Sequence, residues 1–206
     1  MLGRAAVAMW WNVAPEMKAE FEDWHSHEHM PERVAIPGFL RGSRWIALPG
    51  EPSYFVMYEA ADLATLTGGA YLERLNNPTP WSRKMMPHHL NVVRSLCLVR
   101  ASFGRGVGHA VATLRLDAPV GAEALAPLPQ RKGLTGAHLL ESQLMDGIAP
   151  TVEQKIRGRR DAQARWVAII GGYDADAVAA AARTLAADAA PEIFRLSYSL
   201  ARGDPA

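Results

Sequence analysis

Three histidines fall within five residues in the run Trp24-His25-Ser26-His27-Glu28-His29. Imidazole titrates nearest neutral pH of the side chains, so the run suits general acid–base work or metal binding. On a helix His25 and His29, four residues apart, share a face, while His27 points elsewhere. His29 stands in the last turn before Pro31, where the helix macrodipole favours its charged form and Glu28 and Glu32 are near enough to orient it. His29 is therefore the candidate catalytic acid or base. Trp24 and His25 flank it as candidate ligand contacts. His25 and His27 also read simply as a solvated, polar helix end, with His25 at the periphery.

Other chemistry-bearing residues surround this run. His25-x-x-Glu28-His29 formally matches the inverted zinc-protease pattern, but that chemistry needs a third protein ligand and a substrate cleft, and no segment announces either. A simpler His25/His29 metal site would need His88 or His89 to complete it, so no metal is assigned. Arg33 can hold an anionic substrate or pair at the surface with Glu32 or Asp23. Asn76-Asn77-Pro78-Thr79-Pro80-Trp81 is Pro-rich, and offers Asn77 and Trp81 as ligand contacts from a loop. His88-His89 opens a strand, and can face the same pocket, with His88 as a ligand contact, or sit on its rim. Trp10, Trp11, Trp45, Tyr54 and Tyr58 either stack on a flat ligand or fill the core. The lone Cys97, inside an apolar run, reads as a buried, inert thiol.

The elements that must position these residues follow from periodicity and punctuation. A buried strand is expected over 5–13, and a helix from Pro15 that Pro31 ends. Pro37-Gly38 turns into a strand over 39–48, Pro49-Gly50-Glu51-Pro52 makes a further turn, and a short aromatic strand runs over 53–59. Asp62 caps a helix that Gly68-Gly69 breaks or kinks. A short helical turn is expected at 81–86, and a long, bent strand over 89–103. Gly104-Arg-Gly-Val-Gly108 reads as a linker, since no helix follows to make it a phosphate cradle. The second half repeats the order in degraded form. Strands are expected over 109–116, 135–144, 165–171 and 193–201, a weak helix over 120–128, and a helix over 175–189 capped by Asp174. Residues 145–163, with Arg157, Arg159 and Arg160 clustered, read as a loop. Each half is thus β-α-β-β-α-β. The predicted fold class is α+β: two tandem ferredoxin-like halves, 1–103 and 104–206, packed sheet to sheet as a barrel so that each buries the face its helices leave bare. The Trp and His residues are concentrated in the first half, which is expected to carry the site while the second closes the barrel.

Composition bounds the partners. The 206-residue chain is 49% apolar and 21% charged, with a formal net charge of +1. That is a globular balance with no field to draw nucleic acid or an anionic membrane. No window approaches the length of apolar chain that spans a bilayer, and the N-terminal apolar stretch lacks a cleavage site. A single cysteine forbids an internal disulfide and fits a reducing, cytoplasmic setting.

The stretch Phe21-Glu-Asp-Trp-His-Ser-His-Glu-His29-Met-Pro31-Glu-Arg33, with Ile36-Pro-Gly-Phe39 and the strand after it, resembles the dimeric α/β-barrel superfamily and its EthD-like branch. In those relatives an aromatic first helix ends in a His closely followed by Pro, and a Pro-Gly turn leads into the second strand. His29-Met30-Pro31 and Pro37-Gly38 match that pattern. The segment Tyr71-Leu-x-Arg74-Leu-Asn-Asn-Pro-Thr-Pro-Trp81 is similar to EthD-like proteins too. The resemblance covers about the first hundred residues; the rest is supported by element order alone. It implies a range of functions: cofactor-free monooxygenases, isomerases and cyclases acting on small cyclic molecules, haem binders, and members with no known reaction. The leading expectation is an enzyme without an organic cofactor that uses His29 on a cyclic or aromatic carbonyl compound. A haem- or metal-binding protein using His29, or His25 with His29, is the alternative; a non-catalytic binding or assembly module is the third. A homo-oligomer is compatible with each.

Overall fold

The structure, a computed structural model of the chain, describes residues 1–47, 54–143, 149–158 and 160–204. The predicted Pro49 to Pro52 turn and Arg159 lie outside the described residues. Strands β1 (Ala5–Val13), β2 (Phe39–Ala47), β3 (Tyr54–Ala60) and β4 (His89–Gly104) belong to the first half; β5 (Ala110–Leu116), β6 (Leu134–Ser142), β7 (Trp166–Gly172) and β8 (Glu192–Ala201) belong to the second. They form one closed antiparallel barrel in the order β1-β3-β2-β8-β5-β7-β6-β4. Each half contributes its strands in the sequence fourth, first, third, second. The halves meet where β2 pairs with β8 and β4 with β6. Closure leaves none of these eight strands with a free edge.

Alternation along the strands sorts the apolar residues into layers, because successive side chains point to opposite faces. In β1, Ala5, Val7, Trp11 and Val13 face the helices of the first half, whereas Ala6, Ala8 and Trp10 face the barrel interior. The interior is filled by Trp10, Trp45, Phe55, Phe194, Ile169 and their neighbours. A third layer lies between the second-half strands and helices α6 (Ala122–Leu125) and α8 (Ala175–Leu185). Cys97 is buried in the interior layer, and desolvation pushes its thiol up to about 12, as expected of an inert thiol.

The helices follow their signals closely. Asp62 accepts from the Thr65 backbone N–H at the start of α3 (Leu63–Thr67), and Asp174 caps α8. Gly68 separates α3 from α4 (Gly69–Asn76). Gly38, with φ of +92°, makes the predicted turn into β2. Thr79 caps α5 (Pro80–Met85), so Trp81 is helical rather than in a loop. Two further expectations are corrected. Pro31 does not end the first helix: α1 (Lys18–Trp24) passes through a wide π-turn at His25–His29 into α2 (Met30–Ala35). A proline inside a helix collides with the carbonyl four residues back, and a π-turn opens the ladder just ahead of it. The polar segment 145–163 is not all loop: it holds α7 (Val152–Arg157), begun by a reciprocal Thr151–Gln154 capping box. No helix among the described residues is long and apolar enough to cross a membrane.

Candidate functional site

The π-turn is the local feature that builds the site. The Met30 N–H bonds to the His25 carbonyl, five residues back, in place of the usual four. The widened turn sends both His25 and His29 inward, with 1% and 8% of their surface exposed, and leaves His27 outside beside Asp23. His25 is thus a buried residue, not a peripheral one. Trp24 packs behind His29, ring centroids 4.4 Å apart, and its Nε1 donates to Glu28. Thr79 also donates to Glu28, so this carboxylate is engaged away from the histidines and the zinc-protease arrangement is not formed.

A β-bulge supplies the third histidine. Between Trp10 and Asn12 of β1, strand β4 carries one extra residue, and Asn91 takes up φ of +55°. The extra residue reverses the alternation of β4. Val92, Arg94 and Leu96 face the helices on one side of the bulge, and His89, opposite Val13, faces them on the other. His89, not His88, therefore reaches the site. His89 Nδ1 is 3.1 Å from the Met85 carbonyl, which makes Nδ1 the donor and leaves Nε2 its lone pair. His88 is half-buried near Glu20, outside the cavity.

These residues enclose a cavity of about 30 Å³ between the sheet and the helices of the first half, walled by Met9, Trp11, Tyr58, Tyr71, Leu75, Met86 and Val92. His25, His29, Arg33 and His89 line it. Its roof comes from the second half: Thr151, Glu153, Gln154 and Arg157, at the start of α7 and along it. Arg33 is 2% exposed and bonds neither Glu32 nor Asp23; it forms a buried ion pair with Glu153. Glu32 instead meets Arg74. Arg157 holds Asp161 in a second enclosed pair. The cavity thus joins both halves, although its histidines all come from the first.

Three guanidinium groups, of Arg33, Arg94 and Arg157, line the cavity with the histidines. Burial, then the neighbouring cations and imidazoles, pull the His25 and His29 affinities for protons well below the ordinary value of 6.5, and His89 falls to about 3. The macrodipole's pull toward charged His29 is overridden by desolvation. All three rings are neutral near pH 7, able to accept a proton or a hydrogen bond. Tyr58, whose hydroxyl is 3.3 Å from His25 Nε2, is held protonated by burial. Four buried polar atoms of cavity-lining residues have no hydrogen-bond partner among the described residues: Trp11 Nε1, His25 Nδ1, His29 Nδ1 and Arg33 Nη1. Such a group costs about 1–3 kcal/mol when left unsatisfied, and native interiors rarely keep one.

The structure brings His25, His29 and Arg33 together and adds His89, Trp11, Tyr58, Glu153 and Arg157. Trp24 supports His29 from behind without lining the cavity. Trp81 donates to Glu20 at 3.2 Å and Asn77 donates back to the Glu73 carbonyl at the end of α4; neither lines it. The Thr151-x-x-Gln154 capping box was the available signal for α7. Nothing local marked Glu153 as the partner of Arg33. Among the described residues no three His, Cys, Asp or Glu side chains are grouped to hold a metal ion. The histidine cavity by itself, at about 30 Å³, is smaller than a haem.

No protein-family model matches the chain, and no curated protein matches it significantly in sequence. Solved structures do. An anthrone oxidase-like protein superposes with a TM-score of 0.58 at 12% identity, covering 97% of this chain and 93% of that one. A candidate monooxygenase from Fusobacterium nucleatum subsp. nucleatum gives 0.57 at 11% identity, with 98% and 97% covered. A candidate chlorite dismutase gives 0.54 at 10% identity, with 96% of each chain covered. The likeness spans nearly the whole chain and establishes the α+β, dimeric α/β-barrel fold.

Proposed function

We propose that this protein is a small-molecule enzyme that needs no organic cofactor, with His29 as its acid–base residue. The observation that carries the reading is the set of four unpartnered polar atoms around one enclosed cavity. Their chemistry is complementary. His29, neutral and desolvated, takes a proton from a carbon or oxygen acid next to a carbonyl. The negative charge left on the substrate oxygen meets Arg33 Nη1 and Trp11 Nε1, donors already fixed by Glu153 and by β1. Charge on the substrate also raises the proton affinity of His29, so substrate ionisation and histidine protonation favour each other. Trp24 holds the ring of His29 in place, and Tyr58 does the same for His25. Those isomerase, lyase and monooxygenase reactions that pass through an enolate or carbanion begin with such a deprotonation. The aromatic lining of Trp11, Tyr58 and Tyr71 suits the unsaturated, reacting end of a cyclic or aromatic substrate.

The test follows solvent exchange. Cyclic diketones and hydroxylated aromatic ketones are incubated with the protein in deuterated buffer, and deuterium uptake at the acidic carbon is followed by NMR. We expect protein-dependent uptake that falls by about 100-fold in His29→Ala, the scale of a lost general base. Equal uptake in the variant and the wild type rejects the role of His29.

A further inference from the structure

We infer that the cleft on the outer side of α7 is a binding site for an amphipathic organic anion, and that it receives the body of the substrate whose reactive end reaches His29. The second clause rests on the function proposed above; the first does not. The histidine cavity, at about 30 Å³, has room for a reacting group and little more. Beside it lies a cleft of about 620 Å³. The two share Leu75, Arg94, Thr151 and Gln154 as lining, so they adjoin along these residues.

The chemistry of the cleft is specific. One side is apolar, formed by Leu66, Leu72, Leu75 and Leu96. The other carries Arg94, Lys155 and Arg160. Its lining carboxylate, Asp161, is already held by Arg157 through two nitrogens, at 3.2 and 2.6 Å, and by Gln154 at 3.4 Å. Lys155 and Arg160 have no ion pair among the described residues. Arg94 sits in the shared lining, donates to the Tyr71 hydroxyl at 3.0 Å and lies over its ring, and has no carboxylate partner among the described residues. Asp161 and Glu153 lie near enough to favour its charge without pairing with it. A guanidinium whose one side-chain hydrogen bond goes to a phenol retains donors for a carboxylate or phenolate. Four leucines opposite three available cations define a ligand with an apolar body and a single negative group.

Calorimetric titration with 2-naphthoate and its neutral analogue 2-naphthamide tests the assignment. Naphthoate should bind at least about tenfold more tightly than naphthamide, a difference of about 1.4 kcal/mol. Leu72→Glu, which places a negative charge in the apolar wall, and Lys155→Glu, on the exposed face of α7, should each weaken naphthoate by a similar factor. Arg94→Gln should reduce the preference for the anion. His29→Ala should leave naphthoate affinity unchanged. Equal binding of the two probes overturns the inference, as does naphthoate affinity indifferent to both Leu72→Glu and Lys155→Glu. Loss of binding in His29→Ala with retention in Leu72→Glu would place the probe among the histidines and overturn it equally. If naphthoate behaves as expected while deuterium uptake survives in His29→Ala, the catalytic reading fails and the anion site stands.

Discussion

At the scale of single residues, the site is a study in histidines kept neutral. The unfolded chain binds a proton on His89 near 6.5, whereas the folded protein does so only at about 3, because its ring is enclosed among Trp11, Phe21 and Trp24. A depressed folded value means that acid draws the chain toward the unfolded state. The stability conferred is complete above pH 6.5 and is lost as the pH falls toward 3. Between pH 7.5 and 5.0 this single ring accounts for up to about 2 kcal/mol, from about 1.4 kcal/mol per pH unit. His25 and His29, shifted the same way, add to the loss. Urea unfolding at the two pH values should therefore show a marked fall in stability on acidification. His89→Gln, neutral throughout, should shrink that fall by up to about 2 kcal/mol; a wild-type stability flat from 7.5 to 5.0 would contradict the burial argument. The shared face of His25 and His29 was legible in the sequence because their spacing is local; the burial of His25, read as peripheral, was not. Nor was their protonation state, since it depends on Arg33, Arg44 and the aromatic shell that the fold gathers.

At the scale of elements, two irregularities aim the side chains, and neither was legible as such. The π-turn at His25–His29 resolves a conflict between a long amphipathic helix and an internal Pro31, and the sequence reading resolved it the other way, by ending the helix. The bulge in β4 decides which of two adjacent histidines faces inward, and alternation without the bulge favours the wrong one. Asn91 is the pivot. Left-handed backbone is tolerated by Asn and Gly and resisted by β-branched residues. Asn91→Gly should hold or raise the urea midpoint, and Asn91→Val should lower stability by about 1–3 kcal/mol. Asn91→Val as stable as the wild type would show that the bulge does not need this conformation. Helix α7 was missed because a polar, basic segment reads as loop. Its apolar content is low, and what holds it over the cavity is the Arg33–Glu153 pair, whose partners lie 120 residues apart.

At the scale of the molecule, the eight strands and the β-α-β-β-α-β order of the first hundred residues were legible, because strand alternation, the Asp62 cap and the Gly breaks are written locally; after them the order departs from the expected repeat, since α7 stands between β6 and β7. What the order alone does not contain is the seam. The halves do not merely lie sheet to sheet: β2 bonds to β8, and β4 runs long enough to pair with β1 at one end and β6 at the other. Each half therefore lends the other both a covering for its interior face and partners for its edge strands. Assembly with further copies would have to use helix or loop surfaces, since closure consumes the edges of these eight strands. The same dependence makes a prediction about independence. A first half alone, residues 1–103, would expose Trp10, Trp45 and Phe55 together with the edges of β2 and β4. It should not persist as a folded monomer: gel filtration with light scattering should find a self-paired dimer or larger species. The full chain should lose its tryptophan fluorescence signal and its far-ultraviolet dichroism in one coincident transition, as expected of a single cooperative unit. A stable monomer of the first half, or two separated transitions in the intact chain, would show that the seam is a contact between finished domains rather than part of what finishes them.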